Sequence, residues 1–204
     1  MQFPLSIAFK ILTITPQMYV SDGQGQPIGY VRQKLLAFKE SVTVFTDETQ
    51  TTPIYAISAD RIIDFTANYH FADAVGRPLG HVRREGVRSM WRAHYVISVG
   101  DRPTFEVNEL SAWTRLADNL ISEIPFVGAF TGYFLNPTYI VSRIGGSGTS
   151  QATTSHPETL RMVKHPALLE TNFAIEQSGP IAPDEQVCAL LGLMMIILLE
   201  RSRG

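Results

Sequence analysis

Val187-Cys188-Ala189-Leu190-Leu191-Gly192-Leu193-Met194-Met195-Ile196-Ile197-Leu198-Leu199 is an unbroken run of 13 uncharged residues near the C-terminus. Crossing a bilayer takes about 20 such residues, and a run of roughly 10–14 reads as a buried core helix. Pro183 and Asp184 precede the run, with Asp184 read as the N-cap, and Glu200 to Arg203 return the chain to water, which predicts a helix over 184–201. A helix that is apolar on every side has no face to give to solvent and has to be enclosed on every side. The rest of the chain is therefore expected to wrap it.

The wrapper is legible as a repeat. Asp22-Gly23-Gln24-Gly25-Gln26-Pro27-Ile28-Gly29-Tyr30-Val31-Arg32 and Asp73-Ala74-Val75-Gly76-Arg77-Pro78-Leu79-Gly80-His81-Val82-Arg83 share the pattern D-x-x-G-x-P-[IL]-G-x-V-R at an offset of 51. Looser copies run from Val44 through Asp47 to Pro53 and Ile57, and from Tyr95 through Pro103 to Val107. Phe45, Phe71 and Ile97 lie 26 residues apart, so the unit is about 26 residues and occurs four times over 17–107. Each unit reads as strand, turn and returning strand, with Asp and Gly as turn formers. Ile63, Phe65, Ala67, Tyr69 and Phe71 alternate with Asp64, Thr66, Asn68 and His70, the period of a half-buried strand. Repeated hairpins make a meander, and closing it into a barrel removes the exposed edges.

Beyond the repeats, Asn108 is placed to cap an amphipathic helix over 108–124, in which Leu110, Trp113, Leu116, Leu120 and Ile124 share a face. Further strands are expected at Thr138–Arg143, Arg161–His165 and Leu169–Gln177, and the Gly/Ser/Thr-rich stretch 145–155 reads as a loop. The expectation is one domain, 1–204. It is mainly β, a closed antiparallel barrel of about a dozen strands around the C-terminal helix, with one additional amphipathic helix.

Seventeen Lys and Arg against 19 Asp and Glu leave a net charge of −2, so no overall field favours nucleic acid. The single cysteine, Cys188, excludes an internal disulfide, and Met1-Gln2-Phe3-Pro4-Leu5 lacks the basic start and apolar core of a signal peptide. A cytoplasmic protein without a transmembrane span is expected.

An apolar C-terminal helix inside a barrel of repeated hairpins resembles the Tubby C-terminal-like superfamily, which includes the phospholipid scramblases. Within it the chain is most similar to the LURP-one-related proteins of plants and bacteria. The residues that carry the likeness are Gln33-Lys34-Leu35-Leu36, the Asp-turn-Gly-Pro units, Arg83-Arg84-Glu85-Gly86 with Trp91 and Tyr95, and the helix from Val187. The resemblance implies a binding or regulatory module, in some members acting at membranes. Lipid scrambling does not carry over, because no Pro-rich arm or palmitoylation-type cysteine cluster precedes the barrel.

The most patterned polar feature is the segment 79–97. A two-residue turn at Glu85-Gly86 would pair Arg83 with Arg88, His81 with Met90, and Gly80 with Trp91. It would set His81, Arg83, Arg88 and Arg92 on one outer face. Like charges opposite one another destabilise a sheet, so such a cluster invites an anion, either an anionic lipid or a phosphorylated ligand. The alternative is a solvated face with counter-charge from acidic neighbours such as Asp64.

The five histidines have no metal-ligand spacing, D-x-x-G-x-P offers one carboxylate where calcium needs several oxygens, and neither a metal nor a cofactor is implied. Gly145-Gly146-Ser147-Gly148-Thr149 lacks the Lys of a phosphate loop and the last Gly of G-x-S-x-G. Two rival readings remain beside the binding module. One is an enzyme with a site built from the loop near 145–165 (Ser147, His156, His165). The other is a protein–protein scaffold using the apolar segment 126–135.

Overall fold

The structure, a computed structural model, describes residues 1–10, 17–32, 41–61, 67–85, 94–110, 138–145, 157–166 and 170–201. Among them are twelve strands: β1 Leu5–Lys10, β2 Gln17–Ser21, β3 Pro27–Arg32, β4 Ser41–Phe45, β5 Pro53–Ala59, β6 Asn68–Asp73, β7 Pro78–Arg84, β8 His94–Val99, β9 Arg102–Leu110, β10 Thr138–Arg143, β11 Glu158–Pro166 and β12 Glu170–Gln177. One helix, α1, follows at Pro183–Arg201. Each strand pairs antiparallel with its neighbours in sequence, and β12 returns to β1, so the sheet closes on itself.

Alternation decides which side chains point inward. Ile7, Val20, Val44, Ile57, Phe71, Val82, Ile97, Val107, Val141, Met162 and Ile175 are all buried, and the register sets such residues side by side, as in Ile7↔Val20, Val82↔Ile97 and Tyr139↔Met162. Into that lining goes α1. Every residue from Cys188 to Leu198 is buried, which is the enclosure that the apolar run demanded. The helix packs most closely on β7 and β8.

The repeat is visible atom by atom. In the first unit, Asp22 Oδ1 accepts from the amides of Gln24 and Gln26, and Gly25 N–H donates to Asp22 O. In the third, Asp73 Oδ1 accepts from Val75 and Arg77, and Gly76 N–H donates to Asp73 O. Gly25 and Gly76 hold φ near +75° and +82°, a region that costs an L side chain roughly 1–2 kcal/mol. The second unit makes the same turn from Asp47 with Gln50 in the glycine's place, at φ +56°. Pro27, Pro53 and Pro78 open their returning strands and Pro103 is the second residue of β9, each opposite the residue after a bulge, where a proline is tolerated. These bulges align Val44, not Phe45, with Phe71 and Ile97; Phe45 corresponds to Ala72 and Ser98.

Two further expectations are corrected. The helix starts one residue earlier than expected: Gln186 N–H donates to Ala182 O, so Ala182 is the cap, Pro183 the first helical residue and Asp184 the second. Strand β9 runs through Leu110, so Asn108 and Leu110 are strand residues, paired with Ile140 and Thr138, and do not begin a helix. Residues 111–124 of that expected helix, Gln33–Leu36, Ile63 to Thr66 and the segment 126–135 lie outside the described residues.

Because α1 enters at the end of the barrel that carries the Asp turns, each of its ends is fixed to the wall by a polar contact. At the entry, Arg143 of β10 donates from both terminal nitrogens to Glu185, at 2.8 Å each, and its Nη2 also reaches Pro180 O. Glu185 Oε2 accepts the Ala182 N–H as well, the half of a capping box that an alanine cap allows. At the far end, Tyr95 O–H donates to Glu200 Oε1 at 2.5 Å.

Candidate functional site

His81 and Arg83 are two residues apart on β7 and flank Val82, which is 0% exposed in the lumen, so both project from the outer wall. His81 lies opposite His70 of β6, with ring centroids 5.5 Å apart, and Arg83 lies opposite Asn68. Burial, with His70 and Arg83 adding to it, holds the His81 imidazole below its ordinary value of 6.5. At neutral pH His81 is thus a neutral hydrogen-bonding group, and Arg83 carries the charge.

The expected turn at Glu85-Gly86 is absent. Glu85 N–H donates to His94 O, and β7 pairs with β8 so that His81 faces Ser98, Arg83 faces Val96 and Arg84 faces Tyr95. Burial of apolar side chains explains the register: it opposes Val82 to Ile97, both fully buried, whereas the expected register would have set Ser89 against Val82. Arg88 is therefore not the cross-strand partner of Arg83. Arg88, Arg92 and Trp91 lie outside the described residues.

Gly80, expected opposite Trp91, pairs with Val99 and receives the helix. A Cβ there would collide with Ser98 O and stand 3.2 Å from Cys188 Sγ.

Arg83 has a counter-charge in Glu85, and Asp64 lies outside the described residues. Arg83 Nη2 donates to Glu85 Oε1 at 2.6 Å, and the second Glu85 oxygen lies 3.6 Å from His94 Nε2. Both partners of the Arg83–Glu85 pair are nearly half exposed, and such pairs contribute about 0–1 kcal/mol. The pair orients the guanidinium and leaves it reachable.

The other candidates resolve into structure. Asp22, Asp47 and Asp73 spend their side chains on turn amides, and the hydrogen bonds from Thr49 and Arg77 hold Asp47 and Asp73 below the usual carboxylate range. Cys188 is buried beneath Leu79 O, and burial pushes its thiol up to about 11, so no thiolate is available. Of the three loop residues considered for catalysis, His165 is an exposed residue of β11, while Ser147 and His156 lie outside the described residues. Among the described residues no group of three His, Cys, Asp or Glu is placed to hold a metal ion.

At the end of the barrel opposite the Asp turns, a cleft of about 260 Å3 opens beside the last turns of α1. Phe9, Phe173 and Ile197 form its apolar lining, and Tyr139, Glu109, Glu200 and Lys164 its polar one. Sequence reasoning did not find it. The available signal was parity: Glu109 and Lys164 stand two residues beyond the lumen residues Val107 and Met162, so they are charges on the inward side of their strands.

Comparison with curated proteins and with solved structures gives no match. A family model does match: LURP-one-related, over residues 27–156. That interval begins at the first repeated Pro-Ile-Gly unit and covers the third and fourth hairpins. No helix among the described residues is long and apolar enough to cross a membrane, and α1, the one apolar helix, is enclosed by the barrel instead. On the family match over most of its length, this chain belongs to the LURP-one-related family.

Proposed function

We propose that this LURP-one-related chain is a non-enzymatic binding module whose outer wall takes up a phosphate group, from an anionic lipid or from a soluble phosphorylated ligand. Arg83 is the anchor, His81 the adjacent hydrogen-bonding group, and Arg88 and Arg92 the further cations of the segment that leaves β7 and returns at His94. The observation that supports this reading is the filled lumen: α1 occupies the space where a barrel would otherwise house a ligand, so recognition falls to the outside and the ends. On the outside, Arg83 presents a half-exposed planar fork, which suits a phosphate better than an ammonium does. The net charge of −2 makes the attraction local and sensitive to salt.

Vesicle sedimentation tests the proposal. Phosphatidylcholine vesicles containing phosphatidylserine should retain the protein at low salt and pure phosphatidylcholine should not. Competition by inositol hexakisphosphate alone, without vesicle binding, would assign the site to a soluble ligand. The double substitution Arg83→Glu with Arg88→Glu should abolish binding at unchanged thermal stability, whereas Glu85→Gln, which releases Arg83 from its counter-charge, should strengthen it. Indifference of the wild type to both vesicles and inositol hexakisphosphate would sink the proposal.

A further inference from the structure

His70 of β6 and His81 of β7 are cross-strand partners on the outer wall, because Phe71 and Val82, the residue next to each, are buried in the lumen. Their imidazole rings stand with centroids 5.5 Å apart and planes tilted by 45°, so they are not stacked face to face. A metal ion about 2.0–2.1 Å from one nitrogen of each ring, in tetrahedral geometry, sets the two centroids roughly 5 Å apart. The observed spacing meets that requirement with a small rotation of His70, which is exposed. Among the described residues neither ring makes a hydrogen bond, so within that set a nitrogen lone pair of each is uncommitted. Linear ligand spacing does not reveal the pair, since the β6–β7 register creates it.

From this pairing we propose that His70 and His81 hold a divalent transition-metal ion of the zinc type, with water in its remaining positions. Imidazole suits zinc, copper and nickel, whereas magnesium and calcium take oxygen ligands. Ligation needs the neutral ring, and the burial of His81 keeps that imidazole unprotonated at neutral pH. Charge does not choose the ion, because Asp60 and Asp101 act on His81 with one sign and Arg83 with the other. The choice is made by two nitrogen donors on one face. No third His, Cys, Asp or Glu among the described residues completes the set, and Asp60 already accepts from the amide and the side chain of Asn68. Each imidazole ligates through one nitrogen, so His81 keeps its other nitrogen for hydrogen bonding beside Arg83. The metal site shares His81 with the phosphate reading and does not rest on it.

Calorimetric titration of the full chain, in buffer free of phosphate and lipid, tests this. Zinc chloride should bind saturably and magnesium chloride should not. His70→Ala and His81→Ala should each weaken zinc by at least about 10-fold, since even the outer partner of a ligand is worth that much. His165→Ala, on β11, should leave zinc affinity unchanged. His70 is exposed, so His70→Ala should keep the wild-type melting temperature without metal. Saturating zinc should then raise the melting temperature of wild type and not that of His70→Ala. No saturable zinc binding, equal affinity for magnesium, or unchanged zinc affinity in the His70→Ala/His81→Ala double variant would each overturn the proposal; the last would assign the zinc to donors elsewhere on the chain. Each of these failures leaves the phosphate reading standing, because vesicle and inositol hexakisphosphate binding are measured without added metal.

Discussion

Replacing Glu185 with Gln tests what holds the plug in the barrel. The carboxylate is 8% exposed, receives two hydrogen bonds from Arg143 and one from Ala182 N–H, and is drawn down from 4.5 to about 2, chiefly by the Arg143 guanidinium. A displacement of that size corresponds to roughly 3 kcal/mol of folding free energy linked to ionisation. Arg143 is about a third exposed, and solvent screening of its charge brings the expected cost of Glu185→Gln at neutral pH to about 2 kcal/mol. The sign follows from the direction of the displacement. The folded state binds the proton less readily than the unfolded one, so the stabilisation is complete above about pH 4.5 and drains away as pH falls towards 2. Urea unfolding of wild type and Glu185→Gln should therefore differ by about 2 kcal/mol at neutral pH, and the gap should close progressively below the unfolded-state value. Comparing the two proteins at each pH cancels the acid sensitivity that other carboxylates contribute. A gap that stays constant from neutral pH to about pH 2.5 would refute the reasoning, since the contact would then stabilise by shape and not by charge.

Leu191→Asp places an unpaired carboxylate where the wild-type side chain is 1% exposed, costing several kcal/mol; loss of the cooperative thermal transition is expected, and a folded variant would mean that the plug can leave the lumen. Gly80→Ala drives a Cβ into Ser98 O, backbone that cannot swing aside, so the β7–β8 ladder has to shift; a drop of about 2 kcal/mol in urea unfolding is expected, and a neutral result would remove the close approach of α1 from the account. Gln50→Gly should raise stability by up to about 1 kcal/mol by relieving a positive φ in the Asp47 turn, and a loss of stability would show that the Gln50 side chain matters more than its backbone. Protonation of His81, disfavoured in the folded state, should lower stability as pH falls below about 6.5 while strengthening anion binding at the Arg83 face; His81→Asn should flatten both trends.

Composition and spacing alone determined that this chain is a barrel around its own C-terminal helix. Thirteen uncharged residues, too few for a bilayer and apolar on all sides, leave no other stable environment in water, and a 26-residue period marked by Asp, Gly and Pro specifies hairpins through local backbone chemistry. Strand parity then separated lumen from surface: Ala67 and Phe71 are buried, and Asn68 and His70 between them are not. These features are local, so they survive without knowledge of the fold. The register of β7 on β8 is not local. Glu85-Gly86 carries a turn signal, yet opposing Val82 to Ile97 and fitting Cys188 against Gly80 outweighs it, and the pairing sets Val96, not Arg88, across from Arg83. The far cleft is further still from sequence: Phe9, Glu109, Tyr139, Lys164 and Glu200 span almost the whole chain. Only closure of β12 on β1 and insertion of α1 bring them together.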